Sequence, residues 1–276
     1  MVPEVGIYRD VPNQEYQAWD AASASRLNKL ARSAAHLRYA IDHPEQTDAQ
    51  AFGEMLHTCV LQPELFQGRY VVAPKCDRRT KAGKTEWGVF EALNADRQIV
   101  EPDPWRRCEN MAHAVRTHPA ARALLDARMD TEVSAVWKCR RTGVLCKLRA
   151  DALADLGGIP VVIDLKTTED ASRRAFERSI WTFGYHRQAA MYLDGLAAHG
   201  RVCESFCFIA VEKSPPHAVA VYRITDEVVA MGGEEVARLL ATYGECVRTG
   251  RWCGYGEQVV DIGLPAWTMR QIEDAA

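Results

Sequence analysis

The chain has 276 residues, 47% of them hydrophobic and 26% charged, with a formal net charge of −3. These proportions match ordinary soluble globular proteins and exclude disorder, collagen-like repeats and coiled coil. The apolar runs are too short to cross a bilayer, and residues 1–7 show no basic region followed by an apolar stretch, so the expected compartment is cytoplasmic with no membrane partner.

In chain order, the first part reads as mainly helical. Ser25 and Ser33 each suit the N-cap of a short helix, the second ending before Pro44. Helical spacing of Phe52, Met55, Leu56, Cys59 and Val60 predicts a helix from about Asp48 to Gln62. A short strand is expected at Tyr70 to Val72, then an exposed polar loop at Lys75 to Lys84, and helices near Trp87 to Asp96, Pro104 to Arg116 and Pro119 to Ala127. The apolar period then changes. Glu132 to Arg140 and Val144 to Asp155 read as strands joined by a tight turn at Arg141-Thr-Gly143, and Gly157-Gly158 leads into a third strand, Val161 to Lys166. Helices at Ser172 to Ser179 and Tyr185 to His199, strands at Ser205 to Glu212 and Ala218 to Ile224, and a helix capped by Thr225 and running to about Arg248 complete the pattern. The expectation is an α/β fold, a mixed central sheet flanked by helices, in a single domain over 1–276: a mainly helical portion (1–130), a sheet core (131–250) and a C-terminal tail (251–276).

Nine cysteines lie scattered without a Cys-x-x-Cys pair, so neither a disulfide framework nor a zinc ribbon is indicated. The net charge of −3 rules out a general basic coat, leaving a local cluster of cations as the way to hold a polyanion. Arg78, Arg79, Lys81 and Lys84 form such a cluster, or else a solvated loop.

The third predicted strand carries the chemistry. Asp164 and Lys166 are two apart and share a face, while Leu165 points into the core with Val161 and Ile163. Asp151 lies on the preceding strand, whose odd positions Lys147, Arg149 and Asp151 form a charged face. The Gly-Gly turn brings the two carboxylates together beside the Lys166 ammonium. Two carboxylates and a backbone carbonyl suit Mg²⁺ or Mn²⁺, and a neighbouring lysine positions or deprotonates a hydrolytic water. Asp-x-Lys is also a common surface pair. His57, one turn from Gly53, is a further ligand or a packing histidine; Tyr185, Gln188 and Tyr192 form a stripe facing the lysine or the core; Glu132 offers an outer carboxylate.

Asp151 followed by Asp164-Leu165-Lys166 resembles the bipartite signature of the PD-(D/E)xK nuclease superfamily. Gly53-Glu-Met-Leu-His57, Arg78-Arg-Thr-Lys-Ala-Gly-Lys84, Gly143 to Asp151, Asp164-Leu-Lys-Thr-Thr168 and Tyr185-His-Arg-Gln188 resemble the nuclease domain of RecE-type exonucleases, relatives of lambda-exonuclease-like enzymes. Gly6-Ile-Tyr8, Asn13-Gln-Glu-Tyr16 and Ser23 to Leu27 resemble that domain's start, so the likeness runs nearly end to end. Ala150 stands where the superfamily name has proline.

The resemblance implies that His57, Asp151, Asp164 and the Leu165 carbonyl bind Mg²⁺, with Mn²⁺ substituting, that Lys166 acts on the nucleophilic water, and that Glu132, Tyr185, Gln188 and Tyr192 complete the site. The implied activity is 5′ to 3′ digestion of one strand at linear double-stranded DNA ends, leaving 3′ single strands for recombination through an annealing protein, as suits a phage-like gene. A ring of three or four subunits is also implied, and is a physical answer to weak monomer affinity for DNA. Ser25 and Arg26, at a helix start, are then expected near a 5′-phosphate pocket. The alternatives are a RecB-like or Cas4-like nuclease, the latter disfavoured because no cysteine cluster is present, and a non-catalytic DNA-binding subunit, disfavoured by the full set of site residues.

Overall fold

Runs of β-branched and small apolar residues in the second half of the chain build the sheet, and amphipathic helices from both halves cover it. The computed structural model describes residues 3–256 and 258–264. The chain opens with β1 (Gly6–Tyr8), α1 (Asn13–Ala18), α2 (Ala24–Arg32), α3 (Ala34–Asp42), α4 (Asp48–Leu61), α5 (Pro63–Arg69) and β2 (Tyr70–Val72). It continues with α6 (Lys81–Leu93), β3 (Gln98–Val100), α7 (Pro102–Thr117) and α8 (Pro119–Leu125). Then come β4 (Arg128–Lys138), β5 (Leu145–Asp155), β6 (Pro160–Thr168), α9 (Arg173–Thr182), α10 (Tyr185–Ala197), β7 (Ser205–Glu212), β8 (Val219–Arg223) and α11 (Asp226–Thr249).

Six strands form one sheet in the order β1-β4-β5-β6-β7-β8. All neighbours are antiparallel except β6 and β7, which run parallel because α9 and α10 carry the chain across between them. β2 and β3 pair separately. One sheet face packs Val133, Ala135, Trp137, Leu148 and Phe208 against α2, α3, α10 and α11; the other packs Val161, Ile163, Leu165 and Ile209 against α4, α5, α7 and α8. This is the expected α/β architecture, a mixed sheet between helical layers.

Several local expectations are corrected. Residues 1–130 are mainly helical and hold the expected β2, but they also contribute two unexpected strands: β1 extends the main sheet by pairing with β4, and β3 pairs with β2. Both are three residues long, too short to show alternation, and neither is a full run of strand-favouring residues like the Tyr-Val-Val of β2. The first cap is Ser23, not Ser25; the Ser23 side chain accepts from the Arg26 amide, and Ser25 lies inside the first turn. Ser33 caps α3 as expected. The polar run from Lys75 is a loop only as far as Thr80, which caps α6, so Lys81 and Lys84 belong to that helix's first turn. Thr225 precedes α11 without a side-chain capping bond. Of the tail, residues 265–276 and 257 lie outside the described residues, and the rest forms no regular element.

The charged face expected on β5 is also corrected. Lys147 is 2% exposed and donates to the carbonyls of Tyr16 at 2.7 Å, Gln17 at 3.2 Å and Trp19 at 2.8 Å. The last carbonyls of a helix lack intrahelical donors, so this buried ammonium ties α1 to the sheet. Burial pushes its pKa down to about 7.

Candidate active site

The cleft forms where β5 and β6 part. They pair only from Ala152–Ile163 to Asp155–Pro160, and the next residues in each strand towards the opening are Asp151 and Asp164. At the same level β4 is kinked. Glu132, opposite Asp151, has φ of 53°, the left-handed region that a non-glycine residue rarely adopts inside a strand. The facing of both strands changes there: Val133 and Ala150 pack into one core, whereas Met129, Ala152 and Ala154 pack into the other. A regular strand keeps i and i+2 on one face. Here the twist turns Asp151 into the gap between the two layers.

Helix α4 fills the gap from outside the sheet. His57 Nε2 lies 2.9 Å from the Leu165 carbonyl and its Nδ1 lies 3.5 Å from Asp151 Oδ2. The same Asp151 oxygen accepts the Leu165 amide at 2.9 Å. Asp151 therefore takes the place of the missing neighbour strand at Leu165, and His57, Asp151 and the Leu165 carbonyl are gathered at one point. Burial raises the Asp151 pKa above the ordinary carboxylate range, and the nearby Asp164 adds to this against the pull of His57 and Lys166.

Asp164 is 1% exposed. Gln188 of α10 donates to its Oδ1, and the Lys166 ammonium is ion-paired with its Oδ2 at 2.5 Å. Burial lowers the Lys166 pKa, but Asp164 and Asp151 outweigh it and hold the ammonium above its ordinary value. Lys166 is thus kept charged, 4.9 Å from the centre of the Tyr185 ring. Tyr192 is buried on the same helix, and burial raises its hydroxyl pKa well above the usual range.

All of these side chains except the buried Asp164 line a cleft of about 380 Å³. His57, Glu132, Asp151, Lys166, Tyr185, Gln188, Tyr192 and Ser25 all line it. Arg26 does not; it is paired with Asp20 at 2.7 Å and bonded to the Tyr243 hydroxyl at 3.3 Å. Arg78, Arg79, Lys81 and Lys84 are also absent from the lining. Arg78 is paired with Glu101 at 2.9 Å and stacked on Trp87, while Arg79, Lys81 and Lys84 are exposed.

The sequence reading missed several lining residues. Arg149 pairs with Glu132, the two side chains 15% and 18% exposed, and also donates to the Val11 carbonyl at 2.8 Å. Glu54, three residues before His57, bonds Asn13, and burial raises its pKa. Asn28, Arg69 and Phe183 also line the cleft. Glu54 and Arg149 lie within the short words built around His57 and Asp151, where spacing had already pointed.

The donors fit a divalent cation that favours oxygen ligands: two carboxylates, a backbone carbonyl and an imidazole, with the Asp164 carboxylate 1% exposed. Among the described residues no three His, Cys, Asp or Glu side chains close on one point, because Asp164 is drawn to Lys166 and Gln188.

Residues 16–261 match the family described as a PDDEXK-like domain of unknown function (DUF3799). The chain belongs to this PDDEXK-like family. Its name records the carboxylate and lysine pattern met here in Asp151, Asp164 and Lys166. Among solved structures, a candidate exonuclease from Eubacterium rectale is similar, with 11% identity, coverage of 95% of this chain and 98% of that one, and a TM-score of 0.59. That likeness concerns the fold. An alkaline exonuclease from Laribacter hongkongensis is also similar, with 14% identity, coverage of 71% and 97%, and a TM-score of 0.30. No curated protein matches the chain. Among the described residues no helix is long and apolar enough to cross a membrane.

Proposed function

We propose that this PDDEXK-like chain is a divalent-metal-dependent exodeoxyribonuclease of RecE type, which digests one strand of linear double-stranded DNA from its 5′ end. The observation that carries this reading is the parting of β5 and β6, with His57, Asp151, Asp164, Lys166 and Gln188 gathered at the opening. His57, Asp151, Asp164 and the Leu165 carbonyl would hold Mg²⁺, with Mn²⁺ substituting. When bound, such an ion polarises a phosphate oxygen and lowers the pKa of a coordinated water.

The protein's own groups do the rest. Lys166, held charged by two carboxylates, donates to a phosphate oxygen or orients the attacking water rather than removing its proton. Gln188 fixes the Asp164 rotamer so that one oxygen faces the lysine. Glu132 and Arg149 hold the kink that turns Asp151 inward. Ser25, in the first turn of α2, brings its hydroxyl and free helix amides to the cleft and is the stronger member of the proposed 5′-phosphate pocket; Arg26 joins it only by leaving Asp20.

The 3′ single strand left behind would pass to an annealing protein in recombination. A ring of three or four subunits would keep a chain of net charge −3 on its duplex, with Arg78, Arg79, Lys81 and Lys84 repeated around the DNA axis. The test uses linear duplex labelled at the 5′ or the 3′ end. Early release of 5′ label as mononucleotide supports the polarity, and early release of 3′ label overturns it. Light scattering giving a single-chain mass for a protein that digests long stretches without dissociating would overturn the ring.

A further inference from the structure

The turn between α9 and α10 has its backbone fixed by polar groups while its aromatic ring faces outward. The Phe183 amide donates to Ser179 at 2.9 Å and the Gly184 amide to Trp181 at 3.2 Å. Asn28 of α2 donates to the Phe183 carbonyl at 2.8 Å and accepts from Arg187 Nε at 2.8 Å; Arg187 is paired at 2.8 Å with Glu235 of α11. Gly184 has φ of 67°, and a Cβ at this position would fall 2.3 Å from Asn28 Oδ1. Helices α2, α10 and α11 therefore hold this turn in one conformation.

In spite of that rigidity Phe183 is 56% exposed. It lines the cleft with Lys166 and Tyr185, and its centroid is 5.7 Å from that of the Tyr185 ring. A phenyl ring left in water forgoes the gain of burial, and a fixed, flat, exposed ring beside a phosphate-directed ammonium has a ready chemical use. Every nucleobase offers a π-face to such a ring, so stacking on it tolerates any sequence.

We propose that Phe183 is a stacking platform for one unpaired nucleobase of the strand whose phosphate reaches Lys166. The proposal rests on the nuclease reading and adds to it that the cleft takes a base already out of the duplex stack. Phe183 binds and orients this base, and the polar clamp of Asn28, Arg187 and Glu235 sets the height of the ring above the site.

The test is a binding cycle with short single-stranded oligonucleotides, chelator present to stop cleavage, in which one nucleotide at a time is made abasic. In the wild-type protein one abasic position should weaken binding about five- to hundredfold. Phe183→Ala should cost a similar factor, Phe183→Trp should retain binding, and the alanine and abasic losses should not multiply. Equal abasic penalties in wild type and Phe183→Ala, with wild-type cleavage of DNA intact, overturn the platform alone. A wild-type protein that neither binds nor cleaves DNA overturns the nuclease reading and the platform with it.

Discussion

Glu132 joins a left-handed backbone, φ 53°, to a carboxylate paired with Arg149 at the edge of the cleft. A residue with a side chain in that region costs about 1–2 kcal/mol relative to glycine. A hydrogen bond to a charged group contributes about 1.5–3 kcal/mol. Glu132→Ala keeps the backbone cost and loses the pair. Glu132→Gly loses the same pair, removes about 1–2 kcal/mol of backbone cost, and gives back about 0.5–1 kcal/mol through the freer unfolded chain. The glycine variant is therefore expected to be more stable than the alanine variant by ~0.75 kcal/mol at the midpoints of these ranges, with limits of about 0 and 1.5. At an ordinary strand position the order is reversed by a similar amount. At about 2–4 °C per kcal/mol, thermal unfolding should place the glycine variant about 1.5–3 °C above the alanine one, both below wild type. A glycine variant that melts below the alanine variant would refute the left-handed kink, and with it the account of how Asp151 is turned into the cleft.

Asp164→Asn should abolish Mn²⁺ binding in calorimetry, whereas Lys166→Ala should bind Mn²⁺ and lose cleavage by about a hundredfold or more; retained Mn²⁺ binding in Asp164→Asn would remove that carboxylate from the ligand set. His57→Ala should weaken Mn²⁺ more than Mg²⁺, because imidazole favours the softer ion, and wild-type activity in that variant would return His57 to a packing role. Lys147 has a folded pKa lowered to about 7 from 10.5, so the folded chain binds fewer protons between those values and its stability should rise with pH across that window; Lys147→Met should flatten that part of the melting curve, and an identical slope in both proteins would mean the ammonium titrates normally. Neutralising Arg79, Lys81 and Lys84, all exposed and outside the cleft, should weaken DNA binding and make it less salt-dependent without changing Mn²⁺ affinity; unchanged affinity and salt slope would place the DNA path elsewhere.

The pattern Asp151, Asp164-x-Lys166 was legible because strand alternation and a glycine turn fix which side chains face each other. The sheet core and α4 were legible for the same reason, since their apolar periods are long. Asp151's inward turn was not, because it depends on one residue of β4, Glu132, adopting a backbone that no period encodes. Lys147 was misread as part of a charged face, since alternation says which way a residue points and not whether α1 will lie over it. Ser25 was read as the cap where Ser23 fills that role: two serines two apart offer the same chemistry, and only the chain's entry into α2 selects between them. The basic run near Arg78 was visible as charge, but its absence from the cleft lining is a product of tertiary packing. Phe183 left no signal at all: an exposed aromatic and a buried one read alike until the turn that holds it is seen.

The most direct measurement compares wild type with Asp164→Asn on linear duplex DNA and on a closed circular duplex, with Mg²⁺ and with chelator. The account predicts that only wild-type protein with Mg²⁺ degrades the linear DNA and that the closed circle survives. Equal digestion by the Asp164→Asn variant, digestion in chelator, or no digestion of linear DNA by the wild-type chain would contradict it.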